Sequence, residues 1–199
     1  MSDLLPGITV VVPVHPPRFH TTLDRALRSV WEQTRPPEAL IVEIDHAHAG
    51  AAATRNRGLE FVGTEWVAFL DSDDQLRPQH LERLEAHQRE TGADLVYPWF
   101  DVQVSGGPGP EMWQGREGQP FDPELLKTQN TIPVTVLVRT ELIRDVGGFQ
   151  PKGPPDNPCD DWGCWEAMVA AGAVFSHMPE RTWIWHWGTG NTSGRGNAW

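Results

Sequence analysis

The chain is poor in positive charge. Lysine occurs only at Lys127 and Lys152, and Lys plus Arg total 16 against 27 Asp plus Glu, a formal net charge of −11 at pH 7. A surface of that sign repels phosphate backbones and anionic lipid headgroups, which argues against nucleic acid as a partner. Cysteine is as scarce: Cys159 and Cys164 are the two present, and their spacing matches no common zinc pattern, so a pair of reduced thiols is expected. No window approaches roughly 18 uninterrupted apolar residues, so no membrane span is predicted. The start of the chain lacks the basic and apolar regions of a secretory signal, and a cytoplasmic setting is the expectation. Tyrosine appears 1 time and phenylalanine 7 times, whereas tryptophan appears 10 times. With 199 residues, 19 Gly and 18 Pro, the chain reads as one domain with much irregular loop.

The apolar residues are patterned. Ile8, Val10, Val11, Val12 and Val14 form a β-branched run without alternation, the pattern of a strand buried on both faces of a parallel sheet. Pro13 must then lie near its end. Leu23, Ala26, Leu27, Val30 and Trp31 fall on one helix face directed at the core. A second strand is predicted over 39–45, a second helix over 51–61 and a third strand over 66–70. Pro78 opens a third helix that Gly92 closes, and 94–99 makes a fourth strand. This alternation predicts an open, mainly parallel α/β sheet flanked by helices. Ligands of such sheets sit beyond the carboxyl ends of the strands.

The pattern loosens after residue 104. Residues 105–120 are rich in Gly and Pro, 122–128 suggest a short helix, 132–138 a strand and 140–146 a helix that Gly147 ends in the left-handed conformation. A loop over 152–158 leads to a last helix over 160–171, with Trp162, Trp165 and Met168 on one face. Residues 189–199 read as a mobile tail.

Leu70-Asp71-Ser72-Asp73-Asp74 sets three carboxylates just after a buried strand. Like charges that close repel, and a hard divalent cation such as Mg2+ or Mn2+ relieves the repulsion. The plain alternative is a solvated turn that caps the next helix.

Five segments bear on the choice: Thr9-Val10-Val11-Val12-Pro13-Val14, Ala53-Thr54-Arg55-Asn56-Arg57-Gly58, Val67-Ala68-Phe69-Leu70-Asp71-Ser72-Asp73-Asp74, Val146-Gly147-Gly148-Phe149 and Asp160-Asp161-Trp162. In this order the chain resembles a family 2 glycosyltransferase of the GT-A fold, from residue 8 to residue 193. The resemblance implies an inverting, metal-dependent enzyme that moves a sugar from a nucleotide-sugar donor, foremost a UDP-sugar, to an acceptor hydroxyl. It implies a single domain in which residues 1–104 bind the donor and 105–188 form a smaller, irregular acceptor-side lobe carrying the base.

The implied donor contacts are Pro13, His15, Asp45, Arg55, Asp71 and Ser72, and the implied cation ligands are Asp73, Asp71 and His186. Asp161 resembles the family's catalytic base, with Asp160 beside it. Asp74, Trp113 and Trp162 are the expected acceptor contacts, and Trp185 and Trp187 fall in a segment expected to close over the ligands. The acceptor is open: a glycan, a lipid-linked sugar, a protein or a small molecule.

Two segments depart from the family. His15-Pro16-Pro17 replaces the usual Tyr and Asn after the first strand, and the second strand ends Glu43-Ile44-Asp45-His46-Ala47-His48. Both build the nucleobase pocket in relatives. Glu43 is therefore an alternative to Asp45, and His46 with His48 offers a further pair of ligand types. Two other functions use related features: a nucleotidyltransferase, which would need a Gly-rich basic loop absent after Val14, and a non-catalytic carbohydrate-binding module.

Overall fold

In the strand Leu5–Val14 (β1), every residue from Ile8 onward is buried. Alternate side chains enter opposite cores: Val10, Val12 and Val14 one, Val11 the other. That double burial is why the segment shows no polar alternation. Our computed structural model describes residues 4–16, 22–105, 119–150, 152 and 159–188. The other strands are β2 (Ala39–Ile44), β3 (Thr64–Phe69), β4 (Gln75–Leu76), β5 (Leu95–Ser105), β6 (Leu137–Arg139) and β7 (Phe175–Gly188). They form one sheet in the order β2-β1-β3-β6-β5-β7-β4.

The parallel ladders β1/β2, β1/β3 and β5/β7 hold six, five and eleven residue pairs. The antiparallel ladders β3/β6, β5/β6 and β4/β7 hold three, two and two. The sheet is therefore mainly parallel, as its sequence pattern predicts. Pairing of β1 with β3 stops at Val11, so Pro13 lies past that ladder, where its missing N–H costs least.

Helices α1 (Leu23–Trp31) and α3 (His80–Thr91) cover one face through Leu23, Ala26, Val30, Leu81 and Leu84. The opposite face is covered by α2 (Ala51–Glu60), α4 (Pro123–Leu126), α5 (Thr140–Asp145) and α6 (Asp160–Ala170), through Leu59, Leu126, Ile143, Trp165 and Met168. Helix α2 lies against β1 so closely that a Cβ on Gly58 would come within 2.6 Å of Val11 Cγ1. The second half of the chain thus completes the sheet begun by the first.

Several expectations change. Trp31 is 68% exposed: it is the last residue of α1, and Val30 already fills the core position there. Within 132–138 strand begins only at Leu137, although Ile132 and Val136 are fully buried, so the apolar run reflects core packing by irregular backbone. The long strand β7 was not among the predicted elements. Trp183 and Trp185 belong to the same core cluster as α1 and α3, with Trp187 packed against it. Trp185, 7% exposed, is therefore a core residue and not a cover for ligands. The loop and tail predictions for 153–158 and 189–199, and Trp113, lie outside the described residues.

Candidate active site

The carboxyl ends of β1, β2 and β3 share one edge of the sheet and carry His15, Asp45 and Asp71. Asp45 is fully buried, and its oxygens accept hydrogen bonds from the N–H groups of Ala49 and Gly50, both at 2.9 Å, and from Arg57 at 3.2 Å. Burial opposes its charge, but the two N–H groups and Arg57 outweigh that and hold its carboxyl below the usual range. Asp45 thereby pins the turn that leads into α2. Arg57 also binds Glu43 at 2.8 Å, so both acidic alternatives for the base pocket are tied to one guanidinium. His15 is half-buried and meets the ring of His48 edge-on, with centroids 5.9 Å apart. His48 has a φ of 53°, and it and His46 are exposed.

Helix α2 also delivers Arg55, 4% exposed. One guanidinium nitrogen donates to Asp71 Oδ1 at 2.6 Å and the other to Asp160 Oδ2, and the group lies over the Phe149 ring at 5.5 Å. Burial opposes the charge, yet the carboxylates of Asp160, Asp71 and Asp161 more than offset it, so Arg55 stays protonated. One cation thus joins the end of β3 to the start of α6.

Asn56 makes a second joint. Its Nδ2 donates to the Phe149 carbonyl at 2.9 Å, and its Oδ1 accepts from the Phe149 N–H at 2.8 Å. Phe149 then packs edge-on against Phe69 and Trp165. Gly148 has φ of +70°, and a Cβ there would lie 2.3 Å from Asn56 Oδ1. Gly148→Ala therefore adds left-handed strain to a clash, and a loss of about 2–3 kcal/mol is expected, read as a lower midpoint in urea denaturation.

At the start of α6, Asp161 Oδ1 accepts from the Trp162 N–H at 2.8 Å and from Asn130 Nδ2 at 3.0 Å. Burial, and then the neighbouring Asp160, raise this carboxyl to about 7, against the opposing pull of Arg55 and the two donors. Trp162 gives its indole N–H to the Leu126 carbonyl at 2.6 Å, and the Lys152 ammonium sits over its ring. Its indole therefore anchors α4.

The three carboxylates after β3 converge: Asp71, Asp73 and Asp74 place oxygens within 4.8 Å of one another. Ser72, between them, is buried. Asp74 is buried too, and its Oδ1 accepts the His186 N–H at 2.9 Å. Burial, and then Asp73 and Asp71, push the Asp74 carboxyl well above the usual range. His186 thus reaches this cluster through its backbone; burial, and then Arg25, lower its imidazole to about 4. Arg25 of α1 donates to the Asp73 carbonyl. An all-oxygen set with excess negative charge fits a hard divalent cation.

The structure therefore gathers Arg55, Asp71, Asp73, Asp74, Asp160 and Asp161 at one place, and it sets Asp45 in a buried loop anchor. Arg25 and Asn130 were not singled out from the sequence. Isolated polar residues in an otherwise ordinary helix and loop carry no spacing signal.

Sequence comparison adds a decisive observation: the signature described as Glycosyl transferase family 2 matches residues 35–146. The chain belongs to glycosyl transferase family 2. A relative from Mycobacterium tuberculosis, named pre-mycofactocin glycosyltransferase, is 33% identical over 68% of this chain. Glycosyltransferase AglE of Haloferax volcanii is 26% identical over 75% of it. The chain spans 30% and 58% of the lengths of these two relatives. Among solved structures, S. aureus TarS 1-349 in complex with UDP-GlcNAc superposes with a TM-score of 0.71 at 18% identity, covering 93% of this family 2 chain and 60% of that one. The shared fold is the GT-A arrangement. No helix among the described residues is long and apolar enough to cross a membrane.

Proposed function

We propose that this family 2 domain transfers a sugar from a UDP-sugar to an acceptor hydroxyl, with inversion at the anomeric carbon. The observation that carries this reading is the Arg55 bridge from Asp71 to Asp160, which ties the first turn of α6, where Asp161 lies, to the segment after β3 that carries the acidic cluster. In this reading Asp71 and Asp73 hold a divalent cation, Mg2+ or Mn2+, while Asp74, expected from the sequence at the acceptor, is buried behind them and holds the His186 N–H. The bound cation supplies positive charge to the departing diphosphate. Pro13, His15 and Ser72 line the donor site, and Asp45 acts on it by shaping the loop that carries His46 and His48. His186 borders the cation site and remains a candidate ligand through its ring.

Asp161 is assigned as general base. A carboxyl near 7 is matched to taking a proton from a hydroxyl at neutral pH, because base strength rises with pKa while half or more of the groups stay ionised. Trp162 and Trp113 are assigned to the acceptor side. The UDP-GlcNAc complex of TarS supports a UDP-sugar as first donor to test, and the acceptor falls in the class of glycans, lipid-linked sugars, proteins or small molecules.

Donor binding is tested by thermal melting with UDP and Mn2+. Ligand at a hundred times its dissociation constant stabilises by about 2.7 kcal/mol, a rise on the order of 5–10 °C for a chain of this size. Asp73→Ala is expected to abolish the rise while melting normally alone. No shift with any nucleoside diphosphate would instead favour a binding module.

A further inference from the structure

The general base has two oxygens, and the protein engages them unequally. Oδ1 of Asp161 accepts both the Trp162 N–H and Asn130 Nδ2. Among the described residues Oδ2 has no protein donor. The Trp162 N–H belongs to the first turn of α6 and has a fixed direction. Asn130 is fixed from the other side, since its own Oδ1 accepts the N–H of Ile132 at 3.2 Å. Ile132 is fully buried, so the loop carrying Asn130 is anchored in the core, and the amide orientation that satisfies Ile132 turns Nδ2 towards Asp161.

We propose that Asn130 is a positioning residue for transfer: it holds Asp161 by Oδ1 and leaves Oδ2 to take the acceptor proton. This inference rests on Asp161 being the base. In the step itself the acceptor oxygen forms its bond to the anomeric carbon. The bond from that carbon to the diphosphate oxygen breaks, and its electron pair leaves with the UDP. The acceptor O–H bond breaks, and its proton passes to Oδ2. A carboxylate gripped by two donors on one oxygen cannot rotate freely, so the second oxygen is held in one direction before the acceptor arrives, the arrangement that limits reorganisation during reaction.

The charged and titratable groups facing Asp161 are Arg55 from α2, Asp160 and Cys164 from α6, and Cys159 just before it. None of them is altered by changing Asn130. An amide donor favours the ionised carboxylate, so its removal shifts protonation of Asp161 upward, and a carboxylate in its place shifts it further.

The test compares the full chain with its Asn130→Ala and Asn130→Asp variants in two ways. The first is the pH dependence of UDP release from UDP-GlcNAc with Mn2+, with water as acceptor. The second is a 13C NMR titration of the Asp161 carboxyl, its signal assigned by its loss in Asp161→Asn. The acid limb and the carboxyl titration are both expected to move to higher pH, by about half a unit to one unit in Asn130→Ala and by more in Asn130→Asp. Turnover should fall about tenfold with KM for the donor within twofold. A merely structural role would lower the rate at every pH and leave the limb in place. An unmoved carboxyl titration in folded Asn130→Asp overturns the proposal even if UDP-GlcNAc is not turned over. Failure of the base assignment is read separately, as wild-type turnover in Asp161→Asn.

Discussion

Arg55→Met should destabilise the protein by about 3–5 kcal/mol, the cost of removing one partner from a buried ion pair. Methionine keeps most of the apolar volume against Phe149, so the loss isolates the charge. What remains is Asp71 and Asp160, whose side chains are 30% and 21% exposed, facing Asp161 without their shared cation. The melting temperature should fall by roughly 10 °C or more. Turnover should fall as well, because Arg55 is one of the groups that hold the Asp161 carboxyl down; without it the base stays protonated to higher pH. Arg55→Lys should recover only part of both, since one ammonium cannot span two carboxylates as a planar guanidinium does. Urea denaturation alongside UDP release checks the prediction. A stability within 1 kcal/mol of wild type would show that the bridge is not what joins the two halves of the site.

Asp161→Asn should cut transfer by about 10^2–10^4-fold, the usual contribution of a positioned general base, with donor affinity unchanged. The pH dependence follows from the same carboxyl. Its pKa of about 7 means that wild-type turnover rises as pH climbs through 7 and flattens above it. Stability moves the other way. The folded pKa lies above the ordinary carboxylate value, so the folded state binds the proton more tightly than the unfolded chain does. The resulting stabilisation is complete below about pH 4 and is lost as pH rises to about 7. Asparagine has no such proton to lose. At pH 8 the variant should therefore be no less stable than wild type, while nearly inactive, and pH-dependent denaturation of the two proteins would show the difference in slope.

Much of the first half of the fold was legible because double burial and helix faces leave plain patterns. Ile8 to Val14 reads as a central strand, and the Asp71 to Asp74 segment reads as a cluster of carboxylates at its neighbour's end, which the structure shows converging. The motifs around Arg55, Gly148 and Asp160 were also visible, but the reason they occur together was not. Arg55 joins two carboxylates 105 and 16 residues away, and Asn56 grips the backbone of Phe149 93 residues on; such pairings appear only once the chain is folded. The strand β7 was missed although Trp183, Trp185 and Trp187 recur with a period of two. Trp185 and Trp187 are expected from the sequence to lie in a segment that closes over the ligands, whereas the period is that of a strand with one face in the core. The resemblance implies that Asp45 meets the nucleobase, yet its burial and three hydrogen bonds became apparent only in the structure. Trp31 shows the opposite error, since the last residue of a helix face can leave the core as the chain turns away.

The most direct test of the central claim is the configuration of the product formed from an α-linked UDP-sugar with Mn2+, followed by 1H NMR of the anomeric proton during turnover. A single displacement assisted by Asp161 predicts a β-linked product appearing first, with no turnover in EDTA. An α-linked first product would contradict the account, because it would require a covalent intermediate or front-face attack in place of one base acting on the acceptor.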